Sequence, residues 1–375
     1  MDELADRVFS IAAEQIKATD ARLGETELPR TTGKDGEAVN SDYRWWCSGF
    51  FPGSAWYAYE YTGDANLKDI ALKNTLKLAG IPDNVDSHDI GFMIWCSYGN
   101  ALRLTGDTSL LETIHASADK LCTRYRPGAG IIQSWNARLG KDWICPVIID
   151  NMMNLELLME CSKLFEEPCY AEISVSHADV TMGNHFRKDN SSYHVLDYNP
   201  ENGEIRHRHT EQGLADESAW ARGQAWGLYG YTMMYRECGK DEYLAQAEKI
   251  ADYIIPRLPE DGVCFWDFNV PEIRLGQYEM VKRDASAAAI VASALTELAS
   301  YVEDAIKSEG YLAVAEKIVR TLASDEYLAK AGENNGFILK HGVGHYRNDS
   351  EVDVPLTYAD YYFLEAVIRL KESME

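Results

Sequence analysis

The sequence predicts an all-α fold, a single (α/α)6 barrel of six helical hairpins arranged as a toroid. Three observations carry that expectation. Segments apolar on nearly every face recur along the chain, at Ser48–Tyr61, Ile90–Leu104, Val147–Leu158, Ala219–Tyr235, Ala285–Leu298 and Tyr361–Leu370. One-faced segments alternate with them. Leu244, Ala247, Ile250, Ala251 and Ile254 share one helical stripe, and Leu312, Ala315, Ile318, Val319 and Leu322 share another. A helix that is apolar all round has to be enclosed, and a one-faced helix covers it from outside, so the alternation describes inner and outer rings. The chain also repeats itself: Tyr243-Leu244-Ala245-Gln246-Ala247-Glu248-Lys249-Ile250 returns as Tyr311-Leu312-Ala313-Val314-Ala315-Glu316-Lys317-Ile318. Such repeats stack as supersecondary units.

The joints between hairpins share a pattern. Tyr61-Thr62-Gly63-Asp64 with Leu67 returns as Leu104-Thr105-Gly106-Asp107 with Leu110. Each Gly is expected to end one helix in the left-handed conformation, and each Asp to cap the next. Gly239, ahead of Asp241, and Gly310 are expected to do the same. Strand signals are few. Tyr193–Tyr198, a turn through Asn199-Pro200-Glu201-Asn202-Gly203-Glu204, and Ile205–His209 read as a hairpin. Gly128–Trp135 is a second strand candidate. Both are expected at the rim where a toroid opens. No Pro/Gly/Ser-rich linker interrupts the pattern, so residues 1–375 are expected to form one domain.

Composition narrows the function. An apolar content of 46% supports a large core. No window approaches the ~20 uninterrupted apolar residues of a membrane helix, so no membrane partner is expected. A net charge of −24 argues against nucleic acid, whose binders present basic faces. The start, Met1-Asp2-Glu3-Leu4-Ala5-Asp6-Arg7, lacks the basic and apolar regions of a signal peptide. The eight cysteines form no C-x-x-C pair and lie mostly among apolar residues, which suits a reducing, cytoplasmic setting.

Asp89 and Asp150 head two of the apolar segments. Either could simply cap a helix. Together, in surroundings rich in aromatic and polar groups, they would form a carboxyl pair. Two such groups raise one another's pKa, and glycosidic chemistry uses a pair of this kind. Trp46, Trp135, Trp220 and Trp226 flank the same segments and could stack on sugar rings, or simply pack in the core. Arg222 stands in an apolar helix and needs a partner. That partner is either Asp216 or Glu217, or an anionic or hydroxylated ligand. His88 and His194 could shuttle protons or serve structure. His207-x-His209 lacks a third ligand at usable spacing, so no metal is expected, and no cofactor fingerprint is present. Arg283-Asp284-Ala285-Ser286 reads as a buried ion pair at a helix start.

Several segments, taken in order, resemble one family. They are Trp46-Cys47-Ser48-Gly49-Phe50-Phe51-Pro52-Gly53, His88-Asp89-Ile90-Gly91-Phe92, and Ile149-Asp150-Asn151-Met152-Met153-Asn154-Leu155. Then come Gln212-Gly213-Leu214-Ala215-Asp216-Glu217-Ser218, which runs into Trp220-Ala221-Arg222-Gly223-Gln224-Ala225-Trp226, and Phe265-Trp266-Asp267-Phe268. Arg283-Asp284-Ala285-Ser286-Ala287 and Asp360-Tyr361-Tyr362-Phe363-Leu364-Glu365-Ala366 complete the series. Over nearly the whole chain this resembles the unsaturated glucuronyl hydrolases, α/α-barrel glycosidases of bacteria (glycoside hydrolase family 88). The stretch Tyr346–Pro355 matches that pattern least well.

The resemblance implies a substrate with a 4,5-unsaturated uronic acid at its non-reducing end, left by a polysaccharide lyase on a glycosaminoglycan-type oligosaccharide. It implies hydration of the C4=C5 bond with Asp150 as general acid and base and Asp89 as its partner. It also puts Trp46, His88, Trp135, His194, Gln212, Trp220, Arg222 and Trp226 in the pocket. The competing readings are an unsaturated rhamnogalacturonyl hydrolase, a sugar epimerase on the same barrel and a non-catalytic helical-repeat scaffold.

Overall fold

Six inner segments run in the same direction and lie side by side in the computed structural model, which describes residues 1–137, 141–270 and 281–375. The first is Phe50–Thr62. The second spans 90–105 and is helical throughout, with a π-helical turn at Trp95–Gly99. The third begins as a 3-10 segment, Ile149–Asn154, and continues as the helix Leu155–Phe165. The last three are Ala221–Cys238, Ala285–Ala299 and Thr357–Glu372. Each packs on the next, and the last packs on the first. Asp2–Arg22, Ala65–Leu76, Leu111–Cys122, Pro168–Asn184, Asp241–Ile254 and Ala305–Leu322 cover them from outside.

The inner ring is apolar, but its centre holds one carboxylate. Glu365 accepts hydrogen bonds from Tyr57 Oη at 2.7 Å, Tyr229 Oη at 3.0 Å and Ser293 Oγ at 2.5 Å. These donors come from three other inner helices. A buried carboxylate is tolerated only when its oxygens are satisfied, and here that requirement joins four of the six helices.

Gly63, Gly106 and Gly239 end helices at positive φ as expected, but Asp241, ahead of which Gly239 stands, is the first residue of its helix and makes no side-chain cap. Asp64 and Asp107 cap the next helical segments by accepting the Asn66 N–H and the Ser109 N–H. Gly310 does not serve this way. Asp304 accepts the N–H groups of Ile306 and Lys307 and starts that helix earlier, so Gly310 lies inside it.

The third inner segment also departs from expectation. Pro146–Ile148 is a strand, paired with Val195–Tyr198, which in turn pairs with Ile205–His209. Helix geometry therefore starts later than Val147, and it starts as 3-10. The second strand candidate shrinks to Ile131–Ile132 against Tyr125–Arg126. Two hairpins gave no signal in the sequence, Leu28–Thr32 with Ala38–Ser41 and Gly342–His345 with Ser350–Val354. The latter has Asp349, Glu351 and Asp353 at positive φ, which breaks any simple alternation.

Gly91 permits the close approach of the second and third inner segments. A Cβ there would lie 2.4 Å from the Asn154 Cα. We expect Gly91→Ala to destabilise the fold by roughly 1–3 kcal/mol through overpacking, read as a lower urea midpoint at unchanged slope.

Candidate active site

The amino-terminal ends of the inner segments meet at one mouth of the ring, and the two aspartates are there. Asp150 comes directly after the strand Pro146–Ile148. The Ile149 N–H donates to the His194 carbonyl at 3.1 Å, so strand pairing sets Asp150 beside His194. Neither aspartate caps a helix through its side chain. Capping therefore does not account for them.

Asp150 is only 9% exposed, and its Oδ2 has no hydrogen-bond partner. Burial pushes its pKa up to about 7. The nearby Asp89 charge adds to the rise, while Arg222 and a hydrogen bond from Trp226 oppose it. The carboxyl can thus hold a proton near neutral pH.

Two buried histidines serve the pair. His194 Nδ1 faces the backbone N–H groups of Glu211 and Gln212, each at 3.1 Å. A nitrogen that accepts carries no proton, so the neutral ring has its proton on Nε2. That atom is 3.7 Å from Asp150 Oδ2. Burial holds the His194 pKa well below its ordinary value. His88 is fully enclosed, and its Nε2 lies 3.3 Å from Asp89 Oδ1.

Arg222 is wholly buried, and its partner is neither Asp216 nor Glu217. Asp216 accepts the Thr210 N–H and Glu217 faces Arg187. The Arg222 guanidinium donates to Asp284 Oδ2 at 2.9 Å, to the Val343 carbonyl at 2.5 Å and to the Gly344 carbonyl at 2.7 Å. It also lies over the rings of Trp220 and Tyr358. Its hydrogen-bonding edges are largely committed to the protein, so it acts as a fixed positive charge that ties the hairpin Gly342–Val354 to the mouth. Arg283 and Asp284 do not pair with each other. Arg283 meets Asp261, and Asp284 caps Ala285–Ala299 while holding Arg222.

The remaining candidates lie around this centre. Gln212 donates from its side chain to the Gly344 carbonyl at 3.1 Å. The Trp220 ring is 4.6 Å from His194, and Trp226 is enclosed against Phe92 at 5.1 Å. Trp135, half-buried, meets His194 edge-on at 6.0 Å. Trp46, also partly open, leans on Tyr358 at 4.8 Å. Two tryptophans thus form a floor and two offer accessible faces. His207 and His209 have separate partners, Asp142 and the Trp143 indole N–H.

A cavity of about 530 Å³ opens at the other mouth, lined in part by Trp95, Arg103, Glu156, Arg236 and Arg369. Its arginines are already matched, Arg103 with Glu60, Arg236 with Glu156, and Arg369 with Glu297. We read it as an ion-pair network that closes the ring, because the lining carboxyl groups Glu60, Glu156, Glu160 and Glu365 each meet a donor, unlike the partnerless Asp150 oxygen at the first mouth.

Tyr358, His345 and Asn154 also belong to the first mouth, and nothing in the sequence singled out their roles. Tyr358 packs at a tilt against Trp46 and lies under the Arg222 guanidinium. The half-buried His345 lies near enough to His194 and Arg222 for their charges to interact. Asn154 links the two aspartate segments. Only Asn154 stood inside a recognised motif.

Comparison with known proteins agrees with this geometry. The profile described as Glycosyl Hydrolase Family 88 matches residues 22–371. The chain belongs to that family. This family 88 member is a hydrolase acting on glycosidic substrates. It is 43% identical over 352 residues to the unsaturated glucuronyl hydrolase of Formosa agariphila, covering 92% of this chain and 85% of that one. It is 35% identical to the unsaturated glucuronyl hydrolase of a Bacillus species, covering 96% and 95% of the two chains. Among solved structures, an unsaturated glucuronyl hydrolase specific for heparin superposes with a TM-score of 0.94 at 45% identity, covering 99% and 98%.

The Asp150 shift has a consequence for stability. Its pKa is about 7 in the fold and roughly 3.9 in an unfolded chain, so the native state binds the extra proton between those values. The stability this confers is complete below the lower value and is lost as pH rises toward 7. We expect Asp150→Asn to melt above wild type at pH 8, with the difference shrinking by pH 5. Calorimetry of both proteins checks this, since Asp360 and Glu156, also raised by burial to about 8 and about 7, are common to both.

Proposed function

We propose that this family 88 enzyme removes a 4,5-unsaturated glucuronic acid from the non-reducing end of lyase-made, glycosaminoglycan-type oligosaccharides. The raised Asp150 carboxyl, beside a second aspartate and a neutral His194, is the observation that carries the reading. The names of the relatives support the same substrate class. We further propose that residues 1–375 form one (α/α)6 barrel, supported by the closed order of inner helices. A cytoplasmic setting is proposed from eight cysteines that are all unpaired.

The substrate's C4=C5 bond is an enol ether conjugated to a carboxylate. Protonated Asp150 delivers its proton to C4. Positive charge then develops at C5 and the ring oxygen, and the Asp150 carboxylate and its partner Asp89 are the nearby anions that stabilise it. Water adds to C5 as Asp150 takes back a proton. The hemiketal opens, and the rest of the saccharide leaves from C1. Neither carboxyl attacks the anomeric carbon, unlike the usual paired-carboxylate schemes. In this reading Arg222 supplies a fixed positive field for the uronate, His88, His194 and Gln212 orient it, and Trp46, Trp135, Trp220 and Trp226 shape the sugar pocket.

The test is loss of the ultraviolet absorbance of the conjugated double bond, using unsaturated disaccharides from chondroitin, hyaluronan and heparin. Wild type should bleach at least one of them, and folded Asp150→Asn should be slower by at least ~10²-fold. Because the protonated form acts, kcat should fall as pH rises through about 7. No bleaching of any disaccharide by wild type would overturn the reading.

A further inference from the structure

Asn154 ends the 3-10 segment in which Asp150 stands and reaches the other aspartate through His88. The backbone orients its amide. Oδ1 accepts the Phe92 N–H at 2.9 Å, which turns Nδ2 toward His88 Nδ1, 3.3 Å away. An amide NH2 only donates, so His88 Nδ1 has to accept. Complete burial keeps this ring neutral and lowers its pKa. Its single proton is therefore left for Nε2.

The surroundings of Nε2 agree. Asp89 Oδ1 is 3.3 Å away. Asn151, in the same 3-10 segment as Asn154, spends its Nδ2 on the Ile132 carbonyl at 2.6 Å and not on this ring. The group at Nε2, a carboxyl oxygen of Asp89, is an acceptor. The other Asp89 oxygen accepts from Ser87 Oγ at 2.8 Å. Ser87 Oγ accepts the Asp89 N–H at 3.1 Å and turns its own proton to this oxygen, an arrangement that suits a carboxylate accepting on both sides.

We propose that Asn154 is a positioning residue: it holds the His88 proton on Nε2, which turns that proton toward the Asp89 carboxylate and leaves the catalytic proton to Asp150. This deepens the hydration reading and rests on it. The arrangement at His194 is parallel. There backbone N–H groups do from behind the work that Asn154 does at His88, and Nε2 again points at an aspartate. Each carboxyl of the pair thus faces one neutral imidazole whose tautomer is set from the far side.

The experiment uses the full chain with nitrogen-15 in its histidines. Two-bond proton–nitrogen correlation assigns the His88 tautomer, and kinetics on a bleached disaccharide give kcat and KM. In wild type, His88 should carry its proton on Nε2. Asn154→Asp keeps the acceptor for Phe92 N–H but replaces the donor facing His88 with an acceptor. It should move the proton to Nδ1 and lower kcat by ~10-fold or more, with KM changed far less. A wild-type His88 protonated on Nδ1 overturns the proposal. So does an Asn154→Asp protein whose tautomer switches at unchanged kcat, or whose kcat falls with the tautomer unchanged. The wild-type spectrum decides the tautomer even if the variant fails to fold. A wild type that bleaches no disaccharide would refute the hydration reading, and the spectra would still report on His88.

Discussion

Burying the Asp150 carboxyl next to neutral imidazole, rather than against a cation, is the constraint around which this mouth is arranged. A carboxyl out of water is costly when charged, and the group responds by holding its proton. Had Arg222 met Asp150 directly, the ion pair would have kept the carboxyl ionised and removed the acid from the site. Instead Asp284 and two carbonyls of the hairpin Gly342–Val354 occupy the guanidinium. Arg222 lowers the Asp150 pKa only through its more distant charge.

That arrangement depends on close packing elsewhere. The strand Pro146–Ile148 sets the register that brings Asp150 to His194. Gly91 lets the segment carrying Asn154 approach the segment carrying Asp89 more closely than any side chain would allow. Deeper in the ring, Glu365 gathers hydroxyl groups from three other helices. Both mouths are therefore dense in polar groups, but with different results. At one end the arginines and glutamates satisfy one another. At the other a carboxyl is left without a partner on one oxygen, ready for a substrate.

The chain's net charge of −24 would repel an anionic sugar at long range. The site meets this locally. Arg222 provides a buried positive charge that screening barely reaches, and its contacts with Trp220 and Tyr358 fix where that charge lies. The loop end that approaches the mouth adds Arg347, held on the Thr210 carbonyl at 3.1 Å.

The sequence by itself determined the helical content, the alternation of inner and outer helices and most of their joints, because burial on all faces and Gly–Asp junctions are local patterns. It also singled out Asp89, Asp150, the histidines and the tryptophans, because those residue types stand out in apolar segments. It misjudged Gly310, since a stronger cap at Asp304 acts six residues earlier. It could not foresee that Arg222 belongs to Asp284, 62 residues away, or that strand pairing would displace the start of the third inner helix. Tautomers, the raised acid and the tether of the Gly342–Val354 hairpin were decided by tertiary structure alone. Each depends on which atoms burial brings within about 3 Å of one another, and chain order does not encode that distance.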